Sequence, residues 1–135
     1  MRVLIFHFLD KSNSKHIKII KNLEAAAINN GHQVTVLNAF DADNFQFLIY
    51  EYIAIVTTSS KLLRARLPSN CEDVFKKHGS MSGIKSCSLV VKKGLFSKKM
   101  NNLVMKAMEK EGMMIDYFKI IENADHAKVV GKKIG

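Results

Sequence analysis

Blocks of apolar and polar positions alternate along the chain and predict strands and helices in turn. Val3 to Phe8 is a near-continuous apolar run flanked by polar residues, a pattern typical of a strand buried on both faces of a sheet. The next apolar positions have helical spacing and are Ile17, Ile20, Leu23 and Ala27. Because Asn30-Gly31 then supplies a helix stop, we predict a helix over residues 14 to 30.

The same alternation continues to the end of the chain. Four more strands are predicted, at Gln33 to Leu37, Tyr52 to Val56, Ser86 to Val91 and Met114 to Ile121. Three more helices are expected: one between the capping box Ser69-Asn70-Cys71-Glu72 and Gly79, one capped by Ser97 and ended by Gly112, and a weaker one over Ala124 to Ile134. Thr57-Thr58-Ser59-Ser60 is expected to be a hydroxyl-rich loop after the third strand.

Five strands that alternate with helices predict an α/β fold with a parallel sheet covered on both faces. A chain of 135 residues has the usual size of one domain, so we expect a single domain over residues 1–135. In open parallel sheets, ligands bind outside the carboxyl ends of the strands, where the strand order reverses. The loops expected to carry function are therefore 9–14, 57–67 and 92–97.

Composition narrows the class of protein. With 47% hydrophobic and 24% charged residues, the chain is not disordered, collagen-like or of low complexity. Cys71 and Cys87 lie sixteen positions apart without a CxxC motif, which argues against a zinc site or a disulfide framework and favours a reducing cytoplasm. The apolar start of the chain is too short for a signal peptide or a membrane span, so we expect a cytoplasmic protein that does not bind membranes.

The five histidines lack the spacing of metal ligands. His7 lies within the first predicted strand and is expected to be a hydrogen-bonded core residue rather than a ligand. We therefore expect no metal site.

Positive charge is concentrated in the second part of the chain. The net charge is +9, and residues 57–135 carry sixteen basic and seven acidic side chains against five of each in residues 1–56. Seven basic residues are expected along one rim of the sheet: Lys61, Arg64, Arg66, Lys92, Lys93, Lys98 and Lys99. This rim favours an acidic redox partner; nucleic acid ranks lower, because no aromatic residues interleave with the cations. A generally basic surface without a specific partner is the alternative.

The loop Leu9-Asp10-Lys11-Ser12-Asn13-Ser14 joins the first strand to the first helix, so its amides and hydroxyls lie at a helix N-terminus, which attracts phosphate. Ser, Asn and Asp also cap helices without any ligand, and this structural role stays open. The chain has no GxGxxG or GxxxxGKS motif, which argues against dinucleotide-binding and P-loop proteins.

Several short sequences, taken in their order, resemble the flavodoxin family over nearly the whole chain. Ser12-Asn13-Ser14 stands where the family has Gly-Asn-Thr, and Tyr50 to Val56 resembles its third strand. Val91 to Lys99 and Gly131-Lys132-Lys133-Ile134 resemble its fourth strand with the following loop and its closing helix. The resemblance implies a three-layer flavodoxin-like sandwich with a five-stranded parallel sheet in the order 2-1-3-4-5.

The resemblance also implies FMN as the cofactor and assigns it three loops. The phosphate loop falls on Asp10, Lys11, Ser12, Asn13 and Ser14, and the flavin-ring loops fall on Thr57 to Leu62 and Lys92 to Phe96. The residues assigned in the ring loops are Thr57, Thr58, Ser59, Lys92, Lys93, Gly94 and Phe96. The chain departs from the family in having Lys11-Ser12 in place of a Thr-Gly pair and in having no tryptophan. It also has Asp10 near the phosphate position, and Lys11 and Lys15 would offset the negative charge of this residue.

Three functions remain open after this comparison. The resemblance implies a noncovalent FMN electron carrier rather than an enzyme with its own substrate, and Lys92 and Lys93 would then raise the flavin potential relative to that of the acidic family members. The alternative is a flavodoxin-fold module without FMN that binds an acidic protein or nucleic acid through the basic rim. An FMN-dependent reductase ranks third, since no second substrate site is evident.

Overall fold

The computed structural model describes residues 1–59 and 71–135. Its strands are β1 (Arg2–His7), β2 (Gln33–Asn38), β3 (Tyr52–Thr58), β4 (Lys85–Val91) and β5 (Met114–Ile121). Its helices are α1 (Ser14–Asn29), α2 (Cys71–Lys77), α3 (Ser97–Lys110) and α4 (Ala124–Gly131), and Phe47–Ile49 forms a short 3-10 turn. The predicted element order is therefore confirmed.

The sheet has five strands in the order β2-β1-β3-β4-β5, and all neighbouring pairs are parallel. This is the predicted fold class and strand order. One buried apolar cluster joins α1 and α4 to one face of the sheet, and a second joins α2 and α3 to the other. The run Val3 to Phe6 is fully buried because each face of β1 packs against a different cluster.

Several predicted boundaries differ from the structure by a few residues, and two of these errors lie at the functional loops and have a local cause. Thr57 and Thr58 belong to β3 rather than to a loop, because they pair with Val90 and Val91 of β4 and β-branched residues suit a strand. Ser97 does not cap α3; it is the first residue of the helix, Phe96 precedes it, and no side chain makes a cap hydrogen bond there. The cap predicted at Ser69 lies outside the described residues.

A β-bulge in β5 brings Asp116 to a partly buried polar contact at the opposite end of the sheet from the functional loops. Ser86 is opposite Ile115 but Cys87 is opposite Tyr117, so Asp116 is the extra residue. The Tyr52 hydroxyl donates a hydrogen bond to Asp116 Oδ1 at 2.6 Å. Burial raises the pKa of Tyr52, and it raises the pKa of the neighbouring Cys87 thiol to about 12.

Candidate functional site

A pocket of about 460 Å³ opens at the carboxyl edge of the sheet. The chain passes from β1 to β2 on one side and then to β3 on the other, so this edge is the switch point where ligands bind in such sheets. The pocket is lined from the ends of β2 and β3, from residues that follow β1, β2, β3 and β4, and from the first turn of α1. Its lining residues are Phe8, Leu9, Asp10, Lys11, Asn13, His16, Asn38, Phe40, Asp41, Thr58, Ser59 and Lys93.

Side chains in the loop between β1 and α1 accept hydrogen bonds from nearby backbone amides. Asp10 Oδ1 accepts hydrogen bonds from the Ser12 amide at 2.8 Å and from the Ser12 hydroxyl at 2.7 Å, and these bonds lower the pKa of Asp10. Asn13 caps α1, since its Oδ1 accepts from the amides of Lys15 at 3.0 Å and His16 at 3.2 Å. The capping role left open by the sequence is therefore present, and a ligand would compete with Asp10 and Asn13 for these amides.

Positive charge reaches the pocket from two elements. Lys11 Nζ lies 3.0 Å from Asp41 Oδ2, so this lysine is already partnered by a carboxylate. Lys93, in the loop after β4, lines the pocket and is in no ion pair within the described part of the chain. Lys93 is therefore the cation of this pocket that is available to an anionic ligand.

Two histidines that sequence reasoning did not assign to the site lie at this edge. His16 reaches the pocket from the first turn of α1, and burial lowers its pKa. Its Nδ1 atom is buried and has no hydrogen-bond partner in the structure as described. His7 ends β1, and its Nδ1 accepts from the Leu9 amide at 3.3 Å, so the predicted hydrogen bond is present. Its ring is only partly buried, however, and lines a neighbouring pocket of about 320 Å³ together with His16.

Two phenylalanines form an aromatic corner of the pocket. Phe8 is buried after β1, and Phe40 in the loop after β2 packs edge-to-face on it, with ring centroids 5.9 Å apart. Phe40 is 52% exposed, so one side of its ring is open to a ligand. Sequence reasoning missed this residue because it examined the loops after β1, β3 and β4 and not the loop after β2.

The first predicted ring loop begins inside β3. Thr57 is buried and its Oγ1 has no hydrogen-bond partner within the described regions, which is unusual for a buried hydroxyl. Thr58 donates to the Val91 carbonyl at 3.0 Å, and Ser59 lines the pocket. The rest of this loop, with Lys61, Arg64 and Arg66, lies outside the described residues.

The second predicted ring loop presents only one of its residues to the pocket. Lys93 lines it, whereas Lys92 Nζ lies 3.3 Å from Glu122 Oε2 beside β5. Gly94 has a φ of +70°, which glycine adopts without strain. Phe96 is 40% exposed where α3 begins and does not line the pocket.

Six of the thirteen predicted site residues therefore meet at one pocket: Asp10, Lys11, Asn13, Thr58, Ser59 and Lys93. The other seven lie next to this set in the chain but do not line the pocket: Ser12, Ser14, Lys15, Thr57, Lys92, Gly94 and Phe96. Sequence reasoning missed His16, Asn38, Phe40 and Asp41, which reach the pocket from α1 and from the end of β2.

Solved structures with the same architecture cover nearly the whole chain. A flavodoxin from the domain Archaea matches with a TM-score of 0.72 and 13% identity over 99% of this chain and 96% of its own. Oxidised flavodoxin 1 from Bacillus cereus matches with a TM-score of 0.75 and 10% identity over 97% and 95%. The chain has a flavodoxin-like fold.

A further match to this flavodoxin-like fold is a Fusobacterium nucleatum flavodoxin bound to flavin mononucleotide, with a TM-score of 0.65 and 12% identity over 99% of both chains. Identities this low show the fold and not the function. No protein-family model and no curated protein sequence matches the chain.

The described residues contain neither a metal-binding cluster nor a membrane-spanning helix. No cluster of three or more His, Cys, Asp or Glu residues arranged to hold a metal ion occurs within residues 1–59 and 71–135. No helix in those ranges is long and apolar enough to cross a bilayer.

Proposed function

We propose that the switch-point pocket binds FMN noncovalently and that the protein carries electrons. One observation carries this proposal: in a flavodoxin-like sheet, the pocket opens at the ends of β1 and β3 and gathers residues of all three predicted loops. Its volume of about 460 Å³ lies within the range of small-molecule and cofactor sites. Bound FMN would supply the one- or two-electron chemistry, and the protein would supply position and electrostatics.

The donors of the pocket fit a phosphate held mainly by side-chain charge. Asp10 accepts from the Ser12 amide before α1, and Asn13 accepts from the Lys15 and His16 amides in its first turn, so these three amides are not an open phosphate cradle. Lys93 brings to the pocket an ammonium group that has no ion-pair partner among the described residues, and the exposed Lys15 adds a second cation at the start of α1. The Lys11 ammonium group is already in an ion pair with Asp41. A phosphate anchored by lysines is expected to bind more weakly as salt rises, since exposed charges are screened.

The walls of the pocket fit a flat ring with polar edges. The open side of Phe40 offers an aromatic surface, and Thr58 and Ser59 place polar groups at the end of β3. The Thr57 hydroxyl, which has no hydrogen-bond partner among the described residues, lies one residue deeper in β3 than Thr58. Phe96 stays the predicted aromatic residue of the second loop.

The two lysines predicted to raise the flavin potential have different surroundings. Lys92 is paired with Glu122, whereas Lys93 lines the pocket without a carboxylate partner in the described ranges. Lys93 therefore stabilises negative charge that arrives in the pocket, and Lys93→Gln is expected to lower the reduction potential more than Lys92→Gln does. A potentiometric titration of both variants measures this, and equal shifts would contradict the role of Lys93.

Because the chain carries a net charge of +9, the proposal includes a redox partner with an acidic surface. It also includes a cytoplasmic location, which the cysteine usage favours. An FMN-free module that binds an acidic protein or nucleic acid is the second candidate. The capped amides of α1 favour it, since this loop is satisfied without a ligand.

A titration of purified, flavin-free protein with FMN separates the two candidates, with quenching of flavin fluorescence as the readout and riboflavin as the matched ligand without phosphate. We expect saturable binding of FMN that is tighter than that of riboflavin and that Lys93→Gln weakens. Lys18→Gln, in an exposed position on α1, is the control of equal charge change. Absence of binding by either flavin would favour the FMN-free module.

A further inference from the structure

A second cavity of about 550 Å³ lies between α3, β5 and the start of α4. We call it the β5 groove and define it by Lys98, Asn101 and Asn102 of α3, Phe118 and Lys119 of β5, and His126 of α4. It shares no lining residue with the switch-point pocket. Of its residues, Lys98 belongs to the predicted basic rim, and none is a predicted FMN-binding residue.

The floor of the β5 groove combines an exposed aromatic ring with a fixed amide. Phe118 is 58% exposed on an edge strand, where an aromatic side chain is a common contact point for another protein. The buried Asn101 accepts a hydrogen bond from the Ser88 hydroxyl on its Oδ1 at 2.6 Å, so its NH₂ group is the part it can present to a ligand as a donor. An apolar contact and a donor therefore lie side by side.

The charge of the groove favours an acidic occupant. Lys98 and Lys119 are exposed, and neither is in an ion pair within the described ranges. Glu122, the one carboxylate that lines the groove, is paired with Lys92 at 3.3 Å. His126 Nδ1 accepts from the Glu122 amide at 3.0 Å, so this imidazole is engaged in fixing the turn before α4. The groove thus has two lysines in its lining that have no carboxylate partner among the described residues.

Consecutive residues connect the β5 groove to the switch-point pocket. Lys93 lines the pocket, while Lys92 pairs with Glu122 of the groove and its amide donates to the Ile121 carbonyl at 2.9 Å. A protein seated in the groove would therefore contact the loop that borders the pocket. The bulge at Asp116 interrupts the regular edge of β5, which favours recognition through side chains over addition of a strand.

We propose that the β5 groove docks an acidic segment of a partner protein, with an apolar side chain of that segment on Phe118 and its carboxylates on Lys98 and Lys119. The docking proposal rests on the proposed function in one respect only, namely that the occupant is the redox partner. Apolar contact at the centre with charges at the rim is the usual composition of a protein interface.

The test follows amide chemical shifts of the labelled, flavin-free protein during titration with a synthetic glutamate-rich peptide that carries one phenylalanine. We expect the largest shifts at Lys98, Asn101 and residues 118–120. The same peptide with serine in place of phenylalanine should bind more weakly. Shifts spread evenly over all surface lysines, or tighter binding of a single-stranded oligothymidylate at the groove, would overturn the proposal.

Charge-matched variants test the same contacts. The double variant Lys98→Glu/Lys119→Glu should weaken peptide binding about fivefold to tenfold, given the strength of exposed ion pairs. The double variant Lys18→Glu/Lys133→Glu makes the same change in net charge at exposed sites outside the groove and should leave peptide binding nearly unchanged. Equal weakening by both double variants would show attraction by net charge alone and overturn the proposal. Phe118→Ser, which keeps the charges, should also weaken binding.

FMN titration of the same variants keeps the two proposals apart. FMN affinity should be unchanged in Lys98→Glu/Lys119→Glu, since neither lysine lines the switch-point pocket. Peptide binding at the groove without FMN binding would contradict the proposed function alone. FMN binding without localised peptide shifts would contradict the docking proposal alone.

Discussion

Protonation of His7 is expected to destabilise the fold as the pH falls from 7 to 5. The ring lies partly buried at the end of β1, and its Nδ1 accepts a hydrogen bond from the Leu9 amide. Burial is the main cause that lowers its pKa to about 4; the positive charge of His16 adds to the lowering, and Asp41 opposes it. The pocket beside the ring is also lined by two lysines and three carboxylates, so the positive and negative charges around His7 largely cancel. These residues are Lys11, Lys21, Asp10, Glu24 and Asp41.

The sign of the effect follows from the pKa in the two states. The folded-state pKa lies below the unfolded value of 6.5, so the unfolded chain binds the proton first as the pH falls. This contribution to stability is present above pH 6.5 and is lost as the pH falls through about 4. The two pKa values correspond to a loss of about 2 kcal/mol in the free energy of unfolding between pH 7 and pH 5. Solvent screening of the partly exposed ring reduces this loss to about 1 kcal/mol.

Urea unfolding followed by circular dichroism at pH 7, 6 and 5 measures the effect. The variant for comparison is His7→Asn, because the asparagine Oδ1 can still accept from the Leu9 amide. We expect this variant to lose about 1 kcal/mol less stability than the wild type between pH 7 and pH 5. His16→Asn serves as a second comparison, since burial also lowers the pKa of His16. The same pH dependence in the wild type and in His7→Asn would show that His7 protonation does not destabilise the fold.

Three further predictions follow from the described contacts. Asn13→Ala removes the α1 cap and should lower the free energy of unfolding by about 1 kcal/mol in urea unfolding. The same change frees two amides and should raise the preference for FMN over riboflavin; an unchanged preference would exclude these amides from phosphate binding. Stability should fall above pH 9, because the unfolded chain releases the Cys87 proton before the folded chain, whose thiol pKa is about 12. The stability of Cys87→Ala should fall less steeply with pH in this range, and an equal slope of stability against pH would contradict the prediction. Phe40→Ala should weaken FMN binding about threefold to tenfold in the fluorescence titration, and Phe96→Ala should weaken it less; the reverse order would place the ring at Phe96 instead.

The fold could be predicted largely because the buried strands have unbroken apolar runs. Met114–Ile121 has the predicted bounds, and β1 differs from its prediction by one residue at each end. The strand order was implied by the family resemblance and not by periodicity. The errors at Thr57 and Ser97 arise because hydroxyl residues suit a loop or a cap equally well in sequence, whereas pairing with β4 and the backbone at Phe96 decide their places.

The candidate site could be predicted only where a loop follows a strand toward the switch point. His16 has the same residue type and surroundings as many exposed helical histidines, and only the fold shows that the first turn of α1 faces the pocket. Phe40 and Asp41 follow the edge strand β2, and no spacing in the sequence connects them to Lys93, which is more than fifty positions away. Tertiary contacts of this kind have no local pattern, so they require the structure.

Whether the switch-point pocket holds FMN is tested most directly by following amide chemical shifts of the labelled protein during titration with FMN. We expect saturable shifts centred on residues 10–16, 57–59 and 92–94, with riboflavin shifting the first of these groups less. Shifts that cluster along the β5 groove, or no saturable shift at all, would contradict this expectation.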